Sequence, residues 1–357
     1  MKGNEVIALA AVNAGCDGYF GYPITPQTEI IETLMEMKPW ETTGMAVVQA
    51  ESELSSINMV YGAACTGKKA MTSSSSPGIS LMSEGLSYIA GAELPCVVVN
   101  VQRGGPGLGT IQPSQADYFQ ATKAAGHGDF NLIVLAPNSV QEMYDHVFLA
   151  FDLAFKYRNP AMILTDGVIG QMMEKVEIGD PAPRMSKEFI DKNYGSWALT
   201  GNNGKDEHNI VTSLELVSER QEKVNERIQA KYKALKENEV RCEMQNCDDA
   251  DYVIVAFGSS ARIASKAMEM ARADGHKVGL LRPITLFPFP EKQLAELGKR
   301  VKGFLVAELN AGQMVQDVRL AVGSNVPTEH FGRMGGMIHS PGEVYEALKN
   351  QIINKLK

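Results

Sequence analysis

Residues 18–29 read GYFGYPITPQTE. The aromatic run over 17–22 predicts a short buried strand. Pro23 and Pro26 then stop that strand and hold the backbone on either side of Thr25. A helical pattern over 28–37 follows. A strand that ends on a stiff, hydroxyl-bearing loop before a helix is the first half of a βαβ unit. In open parallel sheets, ligands sit at the carboxyl ends of the strands. A hydroxyl mounted in advance loses little freedom when a ligand arrives, which makes Thr25 a candidate ligand contact. The competing reading is a cap on the helix that begins near Gln27, for which Thr25 and Thr28 both qualify.

The same alternation extends in both directions. Helical patterns at 3–14, 53–64, 79–90 and 140–155 alternate with strand patterns at 45–49, 69–73, 95–101, 132–136 and 161–165. That order predicts right-handed crossovers around a parallel sheet. From about 170 to 250 the sequence is polar and turn-rich. It contains one long helical pattern, 214–240, with Val217, Val224, Ile228, Tyr232 and Leu235 on one stripe. A second α/β unit starts at Tyr252. Its strands are expected at 252–258, 277–281 and 303–308, and its helices at 259–273, 311–322 and 343–356. RPITLFPFP (282–290) reads as a proline-stiffened loop. The expected organisation is a first domain over 1–170, a polar connector with a long helix over 171–250, and a second domain over 251–357.

The 357 residues carry a net charge of −8, with 44% apolar and 21% charged residues. An acidic chain with no basic run is a poor partner for nucleic acid or an anionic membrane. There is no charged-then-apolar leader and no apolar run of bilayer length, so the expected location is cytoplasmic. Five scattered cysteines argue against a disulfide framework. Cys242 and Cys247 lack further ligands nearby, so no metal or iron–sulfur centre is expected on this chain. GGPGLGT (104–110) follows a strand but lacks the third glycine of a dinucleotide fingerprint. The sequence also has no P-loop, no H-E-x-x-H, no G-x-S-x-G elbow and no Gly-Asp-Gly followed by a distant Asn.

The remaining candidates fall after successive strands. Glu51 and Glu53 follow the second, and Glu53 opens a helix, where a carboxylate is favoured by the helix dipole in any case. Arg103 follows the strand PCVVVNV and suits a carboxylate through a bidentate, charge-assisted pair; the alternative is a structural ion pair. The serine run 73–76 reads as a polar turn opening a helix, with Ser75 and Ser76 able to touch a neighbouring site. His127 is a lone histidine. Asn310 and Gln313 stand where a strand meets a helix, as a ligand or partner contact or as a helix cap.

Taken together, YPITP (22–26), AESE (50–53) followed by INMVYGA (57–63), TSSSSPG (72–78) and QRGGPGLGT-x-QPSQ-x-D (102–117) resemble the α subunit of 2-oxoacid:ferredoxin oxidoreductases. RPITLFPFP and ELNAGQM (308–314) extend the resemblance over essentially the whole chain. GYFGYPITPQTE and KYRNPAMIL-x-DGVIGQMMEK (156–175) are similar to the 3-methyl-2-oxobutanoate (2-oxoisovalerate) branch. The resemblance implies an α/β thiamine-diphosphate pyrimidine-binding domain followed by a transketolase C-terminal-like domain. It implies thiamine diphosphate shared with a β subunit, which would hold the diphosphate and Mg²⁺. Iron–sulfur clusters would lie on β and on a ferredoxin-like subunit, with a γ subunit, ferredoxin and coenzyme A completing the set. The implied reaction is oxidative decarboxylation of a branched 2-oxoacid to acyl-CoA. In it Glu53 is the catalytic carboxyl that bonds the aminopyrimidine, with Tyr22, Pro23 and Ile24 as its neighbours at the cofactor. Thr25 and Arg103 bind substrate, and Ser75, Ser76, His127, Asn310 and Gln313 are further candidates. A 2-oxoglutarate subunit, a non-oxidative thiamine decarboxylase, a catalytically silent structural subunit and, most distantly, a nicotinamide dehydrogenase remain open alternatives.

Overall fold

The computed structural model describes residues 1–123, 125–201 and 208–356. Two sheets organise it. The first contains β1 (Gly18–Gly21), β2 (Ala46–Gln49), β3 (Ala70–Ser74), β4 (Cys96–Gln102), β5 (Ile133–Leu135) and β6 (Pro160–Asp166). The second contains β7 (Cys242–Gln245), β8 (Tyr252–Val255), β9 (Val278–Pro283), β11 (Gly303–Glu308) and β12 (Thr328–Gly332). The remaining strand, β10 (Thr285–Phe287), leaves its own half of the chain and pairs antiparallel with β5. The seven-stranded order is thus β10-β5-β6-β4-β3-β1-β2, and the five-stranded order is β12-β11-β8-β9-β7.

The β-branched run of β4 is buried along its whole length, as is β6 beside it, because helices cover both faces of a parallel sheet. Two crossover helices start on a serine cap. Ser52 caps Glu53–Cys65 by accepting the Ser55 N–H at 3.2 Å, and Ser139 caps Val140–Tyr157 through the Glu142 N–H at 3.1 Å. From β1 the chain moves outward to β2, then returns across β1 to β3 on its other side. The carboxyl ends of β1 and β3 therefore flank a topological switch point, where a crevice opens in folds of this class.

Three departures from the sequence reading concern short strands. RPITLFPFP was expected to be a loop, yet its centre is β10. β7 and β12 were likewise not expected. Their sequences, TLF between prolines, CEMQ and TEHFG, lack an uninterrupted apolar run, and each pairs with the edge of a neighbouring strand. The connector is also more structured than expected. Lys187–Tyr194 is a helix, the long helix spans Ser218–Asn238, and β7 joins the second sheet. The long helix lies on the first unit through Arg227 and Lys231 to Glu93, and through the Tyr232 hydroxyl to Asn159 at 3.2 Å. No helix among the described residues is long and apolar enough to cross a membrane.

The segment after β4 bolts the two halves together. The buried Gln115 side chain accepts from the Ser260 hydroxyl at 2.7 Å and the Leu309 N–H at 3.1 Å, and donates to the Phe257 carbonyl at 2.8 Å. Asp166, at the end of β6, accepts the Ser259 hydroxyl at 2.6 Å. Arg282 donates to Glu142 and Glu243 at 2.8–2.9 Å.

Burial also gives the fold a pH dependence. His146 is buried in helix Val140–Tyr157, and desolvation lowers its pKa from 6.5 to about 4. The unfolded chain therefore takes up this proton first as pH falls, so stability is lost between about pH 6.5 and 4. The shift corresponds to roughly 3 kcal/mol. Buried carboxyls raised by desolvation, such as Asp166 and Glu308, contribute with the opposite sign. The expected result is that His146→Met gains about 3 kcal/mol relative to wild type between pH 7 and pH 4, read from urea unfolding at each pH. A difference that does not change with pH would remove His146 as the cause.

Candidate active site

The switch point gathers the polar residues of four strand ends. After β1 come Tyr22 to Thr25. Thr25 is exposed, and its hydroxyl makes no hydrogen bond among the described residues. Neither Thr25 nor Thr28 caps the following helix, Thr28–Met37, whose N-cap residue is Gln27 and makes no side-chain cap hydrogen bond. Gln27 is instead fully buried, donating to the Tyr22 carbonyl at 3.1 Å and accepting the Ser73 hydroxyl at 2.5 Å. The YPIT turn is thus tied to its own sheet and leaves Thr25 free.

After β2, two glutamates two residues apart part company. Glu51 is exposed and accepts from the Ser55 hydroxyl at 3.2 Å. Glu53 is the first residue of its helix, 5% exposed, and its carboxylate has no hydrogen-bond or ion-pair partner among the described residues. It lies against the end of β3 and the start of helix Ser76–Gly91, where Ser74 and Gly78 are its neighbours. The Ser74 and Ser75 hydroxyls are buried there without a partner. Buried polar atoms are paired in the great majority of cases, so unpaired ones gathered at one place mark a binding site.

After β4 comes Arg103, 8% exposed. It donates to two backbone carbonyls, Thr25 at 3.1 Å and Leu108 at 3.2 Å, and its Nε has no partner. No carboxylate among the described residues pairs with it. The contrast with the other buried arginine decides its meaning. Arg282 is held by two glutamates and serves the fold, whereas Arg103 keeps an unneutralised charge at a strand end, a costly arrangement unless a ligand supplies the anion. The glycine-rich loop lets the chain fold back over it: a Cβ on Gly109 would lie 1.8 Å from the Gly104 carbonyl, and Gly109 has φ +56°.

The other candidates are elsewhere engaged. Ser76 donates to Asp117 at 2.5 Å and accepts the Arg103 N–H at 3.1 Å, so it braces the arginine from behind. Asp117, with its carboxyl pushed up by burial, also accepts from Asn100 at 2.9 Å. The sequence reading quoted Asp117 within a motif without giving it a role. Asn310 donates to the Gln115 carbonyl at 2.8 Å and accepts the Gly312 and Gln313 N–H groups. Gln313 spans to Ala116 and Phe119 at 2.7 and 2.8 Å. Both therefore belong to the bolt between the halves, and the Glu308 carboxylate already accepts the Met314 and Val315 N–H groups at the helix start. His127 receives the Ser87 hydroxyl on its carbonyl at 2.6 Å. Ser87 is far along helix Ser76–Gly91, roughly 16 Å from the strand ends that helix starts from, so the structure does not bring His127 to the others. Among the described residues no group of three His, Cys, Asp or Glu side chains could hold a metal ion.

Comparison with known proteins shows the family of the chain. Residues 9–243 match the family model for the thiamine-diphosphate-binding part of pyruvate flavodoxin/ferredoxin oxidoreductase. The chain belongs to that family. Residues 250–344 match core domain II of pyruvate:ferredoxin oxidoreductase. Among curated relatives, the ketoisovalerate oxidoreductase subunit VorB of Methanothermobacter marburgensis is 50% identical, over 94% of this chain and 93% of that one. The 2-oxoglutarate synthase subunit KorA of Methanocaldococcus jannaschii is 37% identical over 98% of both chains. A solved family structure, the 2-oxoglutarate:ferredoxin oxidoreductase of Magnetococcus marinus with 2-oxoglutarate, coenzyme A and succinyl-CoA bound, superposes with a TM-score of 0.84 at 28% identity. This chain spans 98% of its own length there and 64% of the other's. A split-gene transketolase shares the fold at a TM-score of 0.63 and 14% identity. The family resemblance and the two-part fold read from the sequence are both borne out.

Proposed function

We propose that this chain is the subunit of a 2-oxoacid:ferredoxin oxidoreductase that supplies the activating carboxyl and the substrate's anion site, with 3-methyl-2-oxobutanoate as substrate. The observation that carries the reading is Arg103, buried at a strand end with no acidic partner. The VorB relative at 50% identity favours the branched substrate over the dicarboxylate named for the KorA relative.

The residues fit thiamine diphosphate at its aminopyrimidine end. Glu53 presents a carboxylate without a partner among the described residues, lying in the space that the absent side chain at position 78 leaves. When bound, the cofactor supplies the electron sink for loss of carbon dioxide from the 2-oxoacid. Glu53 holds a proton at the ring nitrogen of the aminopyrimidine. Tyr22, Pro23 and Ile24, on the proline-stiffened turn after β1, would be its neighbours at the cofactor in this reading. Arg103 takes the substrate carboxylate through the two-pronged geometry of its guanidinium, and the Thr25 hydroxyl stands beside it as a further donor. The loop carrying Leu108 and Ile111, both exposed, is fastened to the same guanidinium and offers apolar side chains. Mg²⁺, the diphosphate site and the iron–sulfur clusters belong to partner subunits in this reading. Coenzyme A takes the acyl group and ferredoxin the electrons. Activity accordingly requires the partners, and the complex works in the cytoplasm.

The test is reconstitution with the partner chains, following viologen reduction with coenzyme A and a panel of 2-oxoacids. The highest kcat/KM is expected for 3-methyl-2-oxobutanoate. Preference for 2-oxoglutarate would reassign the substrate, and turnover of none would leave the silent structural subunit.

A further inference from the structure

We propose that Gly78 is a positioning residue for Glu53, keeping open the space in which the Glu53 carboxylate lies; this rests on the role proposed for Glu53 above. Gly78 is the third residue of helix Ser76–Gly91. Its φ is not among the positive values found in the chain, so alanine would suit its backbone and favour the helix. Space is what demands glycine. A Cβ at this position would lie 2.0 Å from Ser74 Oγ, 2.5 Å from Glu53 Oε1 and 2.8 Å from Glu53 Cγ.

Ser74 is the wall of this space. It is fully buried at the end of β3, and its hydroxyl is unpaired. Glu53 is the movable part. No hydrogen bond among the described residues holds its carboxylate, so the walls of the space define where it lies. An added methyl at 78 would push the carboxylate aside and leave the fold standing. Gly85, seven residues further along the same helix, shows the difference. A Cβ there would meet the Ile57 side chain at 2.6 Å, which is helix-to-helix packing with no polar group involved. At a reacting centre a displacement of about 1 Å costs on the order of 100-fold in rate.

The experiment compares wild type, Gly78→Ala, Ser74→Ala and the double variant in the reconstituted complex with Mg²⁺ and thiamine diphosphate. Besides kcat and KM, it reads cofactor stoichiometry, melting temperature and the rate of hydrogen–deuterium exchange at the thiazolium C2 of the bound cofactor. Gly78→Ala is expected to keep its cofactor and fold. Its C2 exchange and kcat should fall at least about tenfold, with KM for 3-methyl-2-oxobutanoate little changed. The double variant should lose as much relative to Ser74→Ala, because the contact with Glu53 remains once the serine oxygen is gone. If Gly78→Ala fails to assemble, the double variant, relieved of the tightest contact, decides. Wild-type exchange in Gly78→Ala, or recovery of the Ser74→Ala rate in the double variant, would overturn the proposal. An active Glu53→Gln would instead overturn the role of Glu53. A dead Glu53→Gln beside a normal Gly78→Ala would overturn this proposal alone.

Discussion

Glu53→Gln is expected to lower turnover of the reconstituted complex by about two to four orders of magnitude, the range that a positioned general acid–base group contributes. The stability of the chain should meanwhile change by no more than ~1 kcal/mol. Both halves of that expectation come from the same observation. Glu53 is 5% exposed yet pairs with nothing among the described residues, so the fold gains little from its charge beyond the helix dipole. Glutamine keeps the shape and removes the ability to share a proton with a ring nitrogen. Viologen reduction and urea unfolding, measured side by side, separate the outcomes. A carboxylate that merely favours a helix start would show the reverse pattern, with turnover intact and stability lowered. Glu51→Gln is the control. Its carboxylate is exposed and already bonded to Ser55, so turnover should stay within a factor of about two.

The second large effect is at Arg103. Replacement by Met is expected to reduce kcat/KM for 3-methyl-2-oxobutanoate by about 100- to 1000-fold, the equivalent of two charge-assisted hydrogen bonds, mostly through KM. Arg103→Lys should fall between, since a lysine keeps the charge but not the fork. The melting temperature of Arg103→Met should hold or rise. An unneutralised buried charge costs the fold, and Met fills a similar volume without that cost. The two carbonyl hydrogen bonds to Thr25 and Leu108 oppose this, and they set how far it can rise. A large drop in melting temperature with kcat/KM unchanged would make Arg103 a structural residue like Arg282.

Some of this protein was determined by local sequence. The alternation of strand and helix, the serine-capped starts of helices Glu53–Cys65 and Val140–Tyr157 and the buried runs of β4 and β6 follow from periodicity and capping residues that act within a few neighbours. The strands after which Thr25, Glu53 and Arg103 stand were legible for the same reason. Family membership was legible because several short motifs occur in a fixed order along the whole chain.

What the tertiary structure decided depends on residues far apart in sequence. Glu51 and Glu53 are nearly equivalent in the string ESE. Only the crossover over β1, which brings β3 and Gly78 alongside, buries one and exposes the other. Asn310 and Gln313 were candidates for a ligand or a cap. Their bonds to 115–119, some 195 residues away in the chain, make them part of the bolt between the halves. RPITLFPFP becomes a strand only because β5 offers it an edge, a pairing across about 150 residues that no local pattern encodes. A buried charge without a counter-charge is likewise invisible in sequence, because it is defined by what every other segment fails to bring near it.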